Sequence, residues 1–512
     1  MTPTREHPGR AAAALALTLA LGAGRAHAAP PAFTLFGWVS PPPAYTTDAH
    51  VAEMAAAGLT LMLPAQDDSG RVEDNRVRLD LAAAHGLKCI VWDNRFERVA
   101  SLGDTTAAGG ALLDSIVADY RDHPAMFGYY LGDEPTRDLW PLLGRLFAEL
   151  HARDPVHPAW NNLLGRIVYP DTASFHAELH DYVAAVHPAV LSDDHYDFAV
   201  DGDVHEFFEN LSGLAAEARG DGLPFWVTVL LVQHTGFRQP TPAMLSWQAA
   251  MAVAYGARGV GYFTWWTPQP VSFYTFAPAV IDTDGRQTAW YPFLEWFDPA
   301  LRAAGETLAP LAWRATLHAG GTPPGAQPFV PDADLAGVQG RAAIGEFADA
   351  SGRRTVMVVN ADSLAPQRVT LAFAPVFDLE RLGGAQGSWG PIAVPGDGTV
   401  PLDLPAGGFA VLRFRGLSAV SPTGMARLTA IPSPARGRVS LAVSGALEAG
   451  QLEVLDAAGR KVWSTRTRAG DVTLAWEGQR DGAGFAAPGG YFARLTTRQG
   501  VATTRFVWLG KH

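Results

Sequence analysis

The sequence MFGYYLGDEP fills residues 126–135 and is a short apolar run that ends in two carboxylates and a proline. A run of this length between polar segments is typical of a buried β-strand. With Met126–Leu131 counted as the first, the chain contains eight such runs, the others being Phe33–Val39, Leu59–Pro64, Leu87–Trp92, Pro158–Leu163, Ala189–Leu191, Phe225–Val232 and Gly259–Trp265.

Amphipathic segments separate these runs, and several have the apolar spacing of a helix: Asp48–Ala57, Ala111–Tyr120, Asp138–His151 and Met244–Tyr255. Eight strands that alternate with helices over about 235 residues predict a (β/α)8 TIM barrel, a fold of the α/β class. An open doubly wound sheet is the competing fold, but it needs a glycine-rich phosphate turn after its first strand. Three prolines, Pro41 to Pro43, follow Phe33–Val39, the N-terminal run, instead.

The pattern changes after the barrel, where short strands between Gly, Pro and Asp turns predict two all-β sandwich domains. Thr355–Asn360, Arg368–Phe373 and Phe409–Phe414 are predicted strands of the first. We place the barrel domain at residues 29–312, the first sandwich at 313–416, a Pro- and Ser-rich linker at 417–434 and the second sandwich at 435–512.

The N-terminus has the pattern of a secretory signal peptide over residues 1–28. Arg5 and Arg10 precede an apolar run, Ala11–Gly24, and Ala26-His27-Ala28 then fits a cleavage site. The run is about 14 residues long, whereas a membrane span needs about 20. We therefore expect a secreted or cell-surface protein without a membrane span.

Composition excludes several classes of function. The single cysteine, Cys89, excludes an intramolecular disulfide and a zinc site built from cysteines. Residues 418–512 carry 12 Lys and Arg against 6 Asp and Glu, so the net charge of −12 leaves −18 on the first 417 residues. A body this acidic repels a phosphate backbone, and we expect no nucleic-acid partner. We also predict no cofactor and no metal, because His195 and His234 lack the spacing of metal-binding motifs.

Side chains suited to a sugar follow the predicted strands. The C-terminal ends of barrel strands meet at one face, where carboxylates and amides can bind hydroxyl groups and aromatic rings can cover sugar faces. Only one of the adjacent residues Trp265 and Trp266 can point into such a cleft, since alternate strand residues point opposite ways. The candidate substrate-binding residues are Trp38, Asp93, Asn161, Asn162, Asp193, His195, Tyr196, Gln233, His234, Trp265 and Trp266.

The motif Tyr130-Leu131-Gly132-Asp133-Glu134-Pro135 resembles the strand-4 Asn-Glu-Pro motif of clan A glycoside hydrolases, which include barrel-type β-galactosidases. The segment Trp247–Val260 is similar to the helix that leads into their last strand. The resemblance covers residues 33–310. It implies an exported glycoside hydrolase that acts on an oligo- or polysaccharide, with Glu134 as the general acid.

The chain departs from that family at two positions, and the second catalytic group is left open. Asp133 stands in place of the motif's Asn, and strand 7 ends in Gln233 where the family has its nucleophilic Glu. An amide cannot form a glycosyl ester. Asp193 or Asp194 could instead activate a water for inversion. Alternatively, the Asp133-Glu134 pair resembles that of the hexosaminidase type, in which the Asp orients a substrate acetamido group.

Two competing interpretations remain. Asp133 could cap the helix that follows, with Pro135 in its first turn, and then have no chemical role. With Gln233 in the nucleophile's place, the barrel could also be a catalytically inactive carbohydrate-binding protein of the cell surface.

Three segments near the C-terminus, Val454–Val462, Trp476–Gly482 and Ala487–Leu495, resemble the FlgD-type Ig-like module of bacterial exported proteins. The resemblance implies a β-sandwich without chemistry of its own. It also implies contact with the cell surface or the secretion machinery through residues 435–512.

Overall fold

The structure is a computed structural model that describes residues 33–66, 68–103, 107–203, 206–271, 274–373, 377–417, 427–444, 449–457, 459–467, 473–497 and 500–511. The predicted signal peptide lies outside these described residues, as do residues 418–426 of the predicted linker. Within the described part of the chain, no helix is both long enough and apolar enough to span a bilayer.

Parallel strands close into an eight-stranded barrel in the order β1-β10-β9-β6-β5-β4-β3-β2, which confirms the predicted fold class. A two-stranded hairpin, β7 and β8, lies outside the barrel. In chain order the elements are β1 Thr34–Gly37, α1 Asp48–Ala56, β2 Leu61–Met62, α2 Val72–Ala84, β3 Lys88–Val91, α3 Arg95–Leu102, α4 Ala108–Tyr120, β4 Met126–Asp133, α5 Trp140–Arg153, β5 Ala159–Leu164, α6 Thr172–Val186, β6 Leu191–Asp194, β7 Phe198–Ala199, β8 Gly202–Asp203, α7 Phe207–Asp221, β9 Phe225–Leu230, α8 Pro242–Ala254, β10 Gly259–Phe263 and α9 Trp290–Leu308.

Each predicted barrel strand has a counterpart in the structure, and β6 differs most from its prediction. The apolar run Ala189–Leu191 ends where β6 begins, because the strand continues through Ser192, Asp193 and Asp194. β6 pairs with β9 from Leu191 onwards. Apolar periodicity cannot detect a strand whose residues are mostly polar.

Aromatic side chains fill the interior of the barrel. Trp160 and Trp226 are buried there with Phe36, at 2%, 0% and 0% exposure. Two glycines make room for these rings: a Cβ on Gly261 would come within 2.2 Å of the Phe36 ring, and one on Gly259 within 2.4 Å of Trp226. The interior is therefore a solid core, and it forms a rigid base below the C-terminal ends of the strands.

The chain beyond the barrel forms a two-layered β-sandwich. A seven-stranded sheet of order β12-β11-β14-β15-β20-β17-β18 faces a three-stranded sheet of order β13-β16-β19. These strands are β11 Ala312–Ala319, β12 Gln327–Pro328, β13 Leu335–Gln339, β14 Ala342–Ala348, β15 Arg354–Asn360, β16 Gln367–Phe373, β17 Phe377–Gly383, β18 Ser388–Ile392, β19 Thr399–Leu404 and β20 Phe409–Leu417.

Helix α8 lies between the barrel and this sandwich. Phe347 and Met357 of the sandwich belong to the same buried cluster as the barrel core. The carbonyl of Ala254, at the end of α8, accepts hydrogen bonds from Thr316 Oγ1 at 2.8 Å and Trp313 Nε1 at 3.2 Å. The barrel and the first sandwich thus share a core.

The C-terminal module contains two further sheets, β21-β22-β25 and β24-β23-β26-β27, around a core of its own that includes Trp476 and Trp508. Its strands are β21 Arg427–Ile431, β22 Val439–Ser444, β23 Gly450–Asp456, β24 Lys461–Thr467, β25 Thr473–Trp476, β26 Gly489–Thr497 and β27 Gly500–Trp508. The predicted linker, residues 417–434, is therefore wrong at its C-terminal end, since β21 lies inside it. The prolines that follow β21 led to the prediction of a linker, although the apolar residues of this segment alternate as in a strand.

These cores predict different results for two truncations. A chain that ends at Gly416 should fold, because it keeps the core shared by the barrel and first sandwich. A chain that ends at residue 312 should aggregate, because it exposes the face of α8 that the sandwich covers. Circular dichroism and thermal unfolding would test both, and an unfolded protein ending at Gly416 would contradict this division of the cores.

Candidate active site

A cleft of two connected lobes opens at the C-terminal ends of the barrel strands. The carboxylate lobe, about 450 Å³, contains Asp133, Glu134 and Asp194. The aromatic lobe, about 350 Å³, is bounded by Tyr130 and Trp160. The lobes share four lining residues, and these are Trp38, Asp133, Phe263 and Phe276.

The backbone at the end of β4 brings two adjacent carboxylates into the cleft. Gly132 and Glu134 have positive φ angles of 112° and 45°. The register with β5 shifts between Tyr130 and Asp133, and the Glu134 N–H then donates to the Asn162 carbonyl at 2.9 Å. Neighbouring residues of a regular strand point to opposite faces, so this irregularity lets Asp133 and Glu134 line the same lobe.

The competing interpretation of Asp133 as a helix cap is wrong. The 3-10 turn that follows spans Arg137–Leu139, and the residue before it is Thr136. Helix α5 begins only at Trp140, and Leu139 precedes it. Asp133 therefore caps neither the 3-10 turn nor α5.

Strand β6 presents Asp194 to the cleft. The Asp194 carboxylate accepts a hydrogen bond from Asn162 Nδ2 at 2.7 Å and another from the Tyr196 hydroxyl. Asp193 is buried on the other side of β6, where Asn210 of α7 lies beside it. Of the two aspartates considered as a catalytic base, only Asp194 can meet a substrate in this cleft.

Burial raises the pKa values of all three carboxyl groups, and repulsion adds to the shift of the two aspartates. Burial and repulsion from Asp194 and Glu134 raise the pKa of Asp133 to about 8. Burial and the charge of Glu134 raise the pKa of Asp194 to about 7, although hydrogen bonds from Tyr196 and Asn162 oppose the shift. Burial also raises the pKa of Glu134. The cluster can thus retain protons near neutral pH, as acid–base chemistry requires.

Aromatic rings form the floor between the lobes. The ring centroids of Trp38 and Trp160 are 5.6 Å apart, those of Tyr130 and Trp160 5.5 Å, and those of Trp38 and Tyr130 6.2 Å. Phe263, the last residue of β10, lies against the Tyr196 ring at 5.6 Å. Such faces suit the C–H-rich side of a pyranose ring.

The prediction that Trp265 or Trp266 faces the cleft is wrong. The Thr264 hydroxyl donates to the Trp38 carbonyl at 2.6 Å and directs the chain back over β1. Trp265 is consequently buried, with its ring 6.2 Å from that of Tyr291. Trp266 packs on Tyr45 at 5.0 Å. Phe263 occupies the position in the cleft that the prediction gave to a tryptophan.

The structure places two further candidates of β3 and β5 outside the cleft. The buried Asp93 carboxylate accepts bonds from Arg95 Nη2 at 2.7 Å and the Tyr120 hydroxyl at 2.6 Å. Asn161 Oδ1 accepts from the Tyr182 hydroxyl at 2.5 Å. Both predictions are wrong because these side chains point outward, toward helices.

His195 and Gln233 also lie away from the cleft. The buried His195 ring packs near Phe207, with ring centroids 6.1 Å apart. The Gln233 side chain is exposed and lines neither lobe. Of the substrate-binding candidates, the cleft brings together Trp38, Asn162, Tyr196 and His234.

The sequence analysis did not predict several of the residues that line the cleft. Trp160 could have been found, because it precedes Asn162 by two positions on β5 and must share its face. Gln66 and Phe276 come from loops and give no comparable signal. In the described ranges, no group of three or more His, Cys, Asp or Glu side chains is arranged to hold a metal ion.

The sequence matches no known protein family and no curated protein. Among similar solved structures is a family 5 glycoside hydrolase from Bacteroides vulgatus, 12% identical over 75% of this chain and 89% of that one, with a TM-score of 0.48. A β-galactosidase from Halorubrum lacusprofundi is 13% identical over 53% of this chain, with a TM-score of 0.40, and the alignment spans 58% of that enzyme. Similarity this remote concerns the fold alone.

The carboxyl groups of Asp133, Glu134 and Asp194 should make the free energy of unfolding depend on pH. The pKa of Asp133 is about 8 instead of 3.8, so the folded state binds more protons and the free energy of unfolding falls as pH rises between those values. Asp133→Asn should remove this loss and stabilise the protein by about 1 kcal/mol at pH 8, with less effect at pH 5. The gain is this small because solvent in the cleft screens the charges.

Urea unfolding at the two pH values would measure the difference. Asp138→Asn, a change at an exposed aspartate on the 3-10 turn outside the cleft, is the matched control. An Asp133→Asn protein no more stable than wild type at pH 8 would contradict the inference that burial and repulsion disfavour the ionised Asp133 carboxylate.

Proposed function

We propose that this protein is an exported glycoside hydrolase that cleaves O-glycosidic bonds of an oligo- or polysaccharide, with Glu134 as the general acid. The observation that carries the proposal is the convergence of Asp133, Glu134 and Asp194 on one cleft beside an aromatic floor. Glycoside hydrolysis needs one protonated and one ionised carboxyl group on either side of a sugar. The raised pKa values of the cluster supply both forms near neutral pH.

Glu134 is suited to protonate the leaving oxygen. Burial raises the pKa of its carboxyl group, which favours the protonated form. Its backbone is fixed by the hydrogen bond to the Asn162 carbonyl, so the side chain extends from a defined point of the cleft wall. Proton transfer from a positioned acid is worth about 10²–10⁴-fold in rate.

Asp194 supports an inverting mechanism. β5 alone separates β4 from β6 in the barrel, so Glu134 and Asp194 start from backbones about 10 Å apart at a strand spacing of about 4.8 Å. Inversion requires carboxyl groups about 6.5–9.5 Å apart, with room for a water. Hydrogen bonds from Asn162 and Tyr196 hold Asp194 in orientation for this role.

Asp133 supports the alternative, in which a substrate acetamido group attacks the anomeric carbon. Asp133 lines both lobes and so lies between Glu134 and the aromatic rings. Its carboxylate could hold an acetamide N–H while the methyl group enters the aromatic lobe. Neither mechanism needs a carboxylate at the end of β9, where Gln233 stands.

A second candidate function is an inactive carbohydrate-binding barrel, which the position of Gln233 favours. We further propose that the N-terminal segment directs export and that the C-terminal module contacts the cell surface or the secretion machinery. Trp476 and Tyr491, both in its FlgD-like motifs, belong to the core of that module, which is consistent with a purely structural origin of the motifs.

The Glu134→Gln variant distinguishes a glycoside hydrolase from an inactive carbohydrate-binding protein. The variant should lose roughly 10³-fold in kcat on a cleaved glycan, because the amide cannot donate the proton, while sugar affinity stays within a few-fold. Activity would be followed by reducing-sugar release and affinity by calorimetry. Glu97→Gln, at an exposed position of α3, is the control. Unchanged turnover in the Glu134 variant would end the assignment.

Two aspartate variants distinguish the mechanisms. Inversion predicts that Asp194→Asn abolishes hydrolysis and that proton NMR of the wild-type reaction shows the inverted anomer first. Acetamido assistance predicts retention, hydrolysis of 2-acetamido sugars alone, and greater damage from Asp133→Asn. Full activity in both variants would exclude the two mechanisms together.

A further inference from the structure

The carboxylate lobe, which Glu134 also lines, has an apolar lip. Ile167 and Val168 line this lobe and are 42% and 52% exposed. Tyr274 lines the lobe from the opposite loop and is 43% exposed. Asn162 and Thr228 lie deeper, at 1% and 0% exposure, whereas Asp133 and Glu134 are exposed beside the lip. The mouth of the lobe therefore presents apolar side chains next to its carboxyl groups.

A buried arginine holds the lip in place. The turn Arg166–Val168 follows β5, and the Arg166 N–H donates to Asn210 Oδ1 at 2.7 Å. Its guanidinium donates to Glu209 Oε2 at 2.9 Å and to the Tyr169 carbonyl at 2.7 Å. Arg166 is turned inward while Ile167 and Val168 are exposed, and turning this segment to bury them would break an ion pair that is itself largely buried.

Single exposed aliphatic residues are common and need no explanation. These two differ because they are adjacent, rigidly held and part of the wall of a concave lobe. Water in contact with them is unfavourable, so an apolar group that displaces it would gain binding free energy.

The general acid fixes which part of a substrate reaches this lip. Glu134 lines the carboxylate lobe and not the aromatic lobe. A general acid protonates the oxygen of the leaving group, so the leaving group lies beside Glu134 and the sugar that is released from it lies toward the aromatic floor.

We infer that the leaving-group side of the cleft binds an apolar aglycone, an alkyl or aryl group, in place of another sugar. This inference rests on the proposed function and narrows its substrates to glycans joined to such an aglycone. Ile167 and Val168 are the specificity-determining residues, and they act on the leaving group without touching the sugar.

The inference would be tested by measuring the hydrolysis of octyl glycosides, phenyl glycosides, methyl glycosides and disaccharides. Each type of substrate would be prepared with glucose, galactose, mannose, xylose and N-acetylglucosamine. We expect kcat/KM for octyl or phenyl glycosides to exceed that for the matching methyl glycoside or disaccharide by roughly 10-fold or more. In the double variant Ile167→Ser, Val168→Ser the octyl-to-methyl ratio of kcat/KM should fall to near unity, and the phenyl-to-methyl ratio should fall by a comparable factor. The octyl and phenyl arms separate alkyl from aryl recognition.

Val200→Ser is the matched control, because Val200 is 65% exposed on the β7–β8 hairpin and lines neither lobe. Comparing the ratio of substrates between variants cancels the greater intrinsic reactivity of phenyl glycosides. Thermal unfolding would establish that each variant is folded.

Substrate binding, measured by tryptophan fluorescence, distinguishes the inference of an apolar aglycone from the proposed glycosidase activity. Hydrolysis without preference for octyl or phenyl glycosides, or substrate ratios that the double variant leaves unchanged, would overturn the apolar aglycone and leave the glycosidase. Tighter binding of octyl than methyl glycosides without hydrolysis would overturn the enzyme and support the apolar lip. Neither binding nor hydrolysis of any substrate would overturn both.

Discussion

The cleft depends on a break in strand geometry at the end of β4. Asp133 and Glu134 are neighbours in sequence, and a regular strand would turn one of them away from any substrate. The positive φ angle of Glu134 and its hydrogen bond to β5 bring both to one side. A left-handed conformation costs a non-glycine residue about 1 kcal/mol or more. The surrounding barrel holds the chain in this unfavourable shape.

The carboxyl groups of Asp133, Glu134 and Asp194 need a rigid wall beneath them. Three carboxyl groups in one lobe repel one another, and a flexible wall would let them move apart. The aromatic interior below, with Trp160 between the floor of the cleft and the barrel core, resists such relaxation because close-packed rings have no space to move into. Asn162 adds a directed contact, since it bonds both to Asp194 and, through its backbone, to Glu134.

The sequence predicted the barrel because its strands are buried and therefore apolar, and this signal is local. The prediction of Glu134 rested on the resemblance of its motif to that of glycoside hydrolases, and that of Asp194 on its place at a strand end. The sequence could not predict which of two adjacent polar residues faces inward. Asn161 and Asn162 form one such pair, and only the register of β5 assigns Asn162 to the cleft. Asp93 was misassigned because its side chain is held by Arg95 and by Tyr120, and Tyr120 is 27 positions away in the chain.

The position of α8 has a consequence for how this protein could have been assembled. The helix is covered by the barrel on one face and by the first sandwich on the other, and both Trp313 and Thr316 bond to its last carbonyl. A gene rearrangement that separated these two parts would strip the helix of half its cover. Barrel and first sandwich are therefore expected to be inherited together, whereas the C-terminal module, with its independent core, is free to be exchanged between lineages.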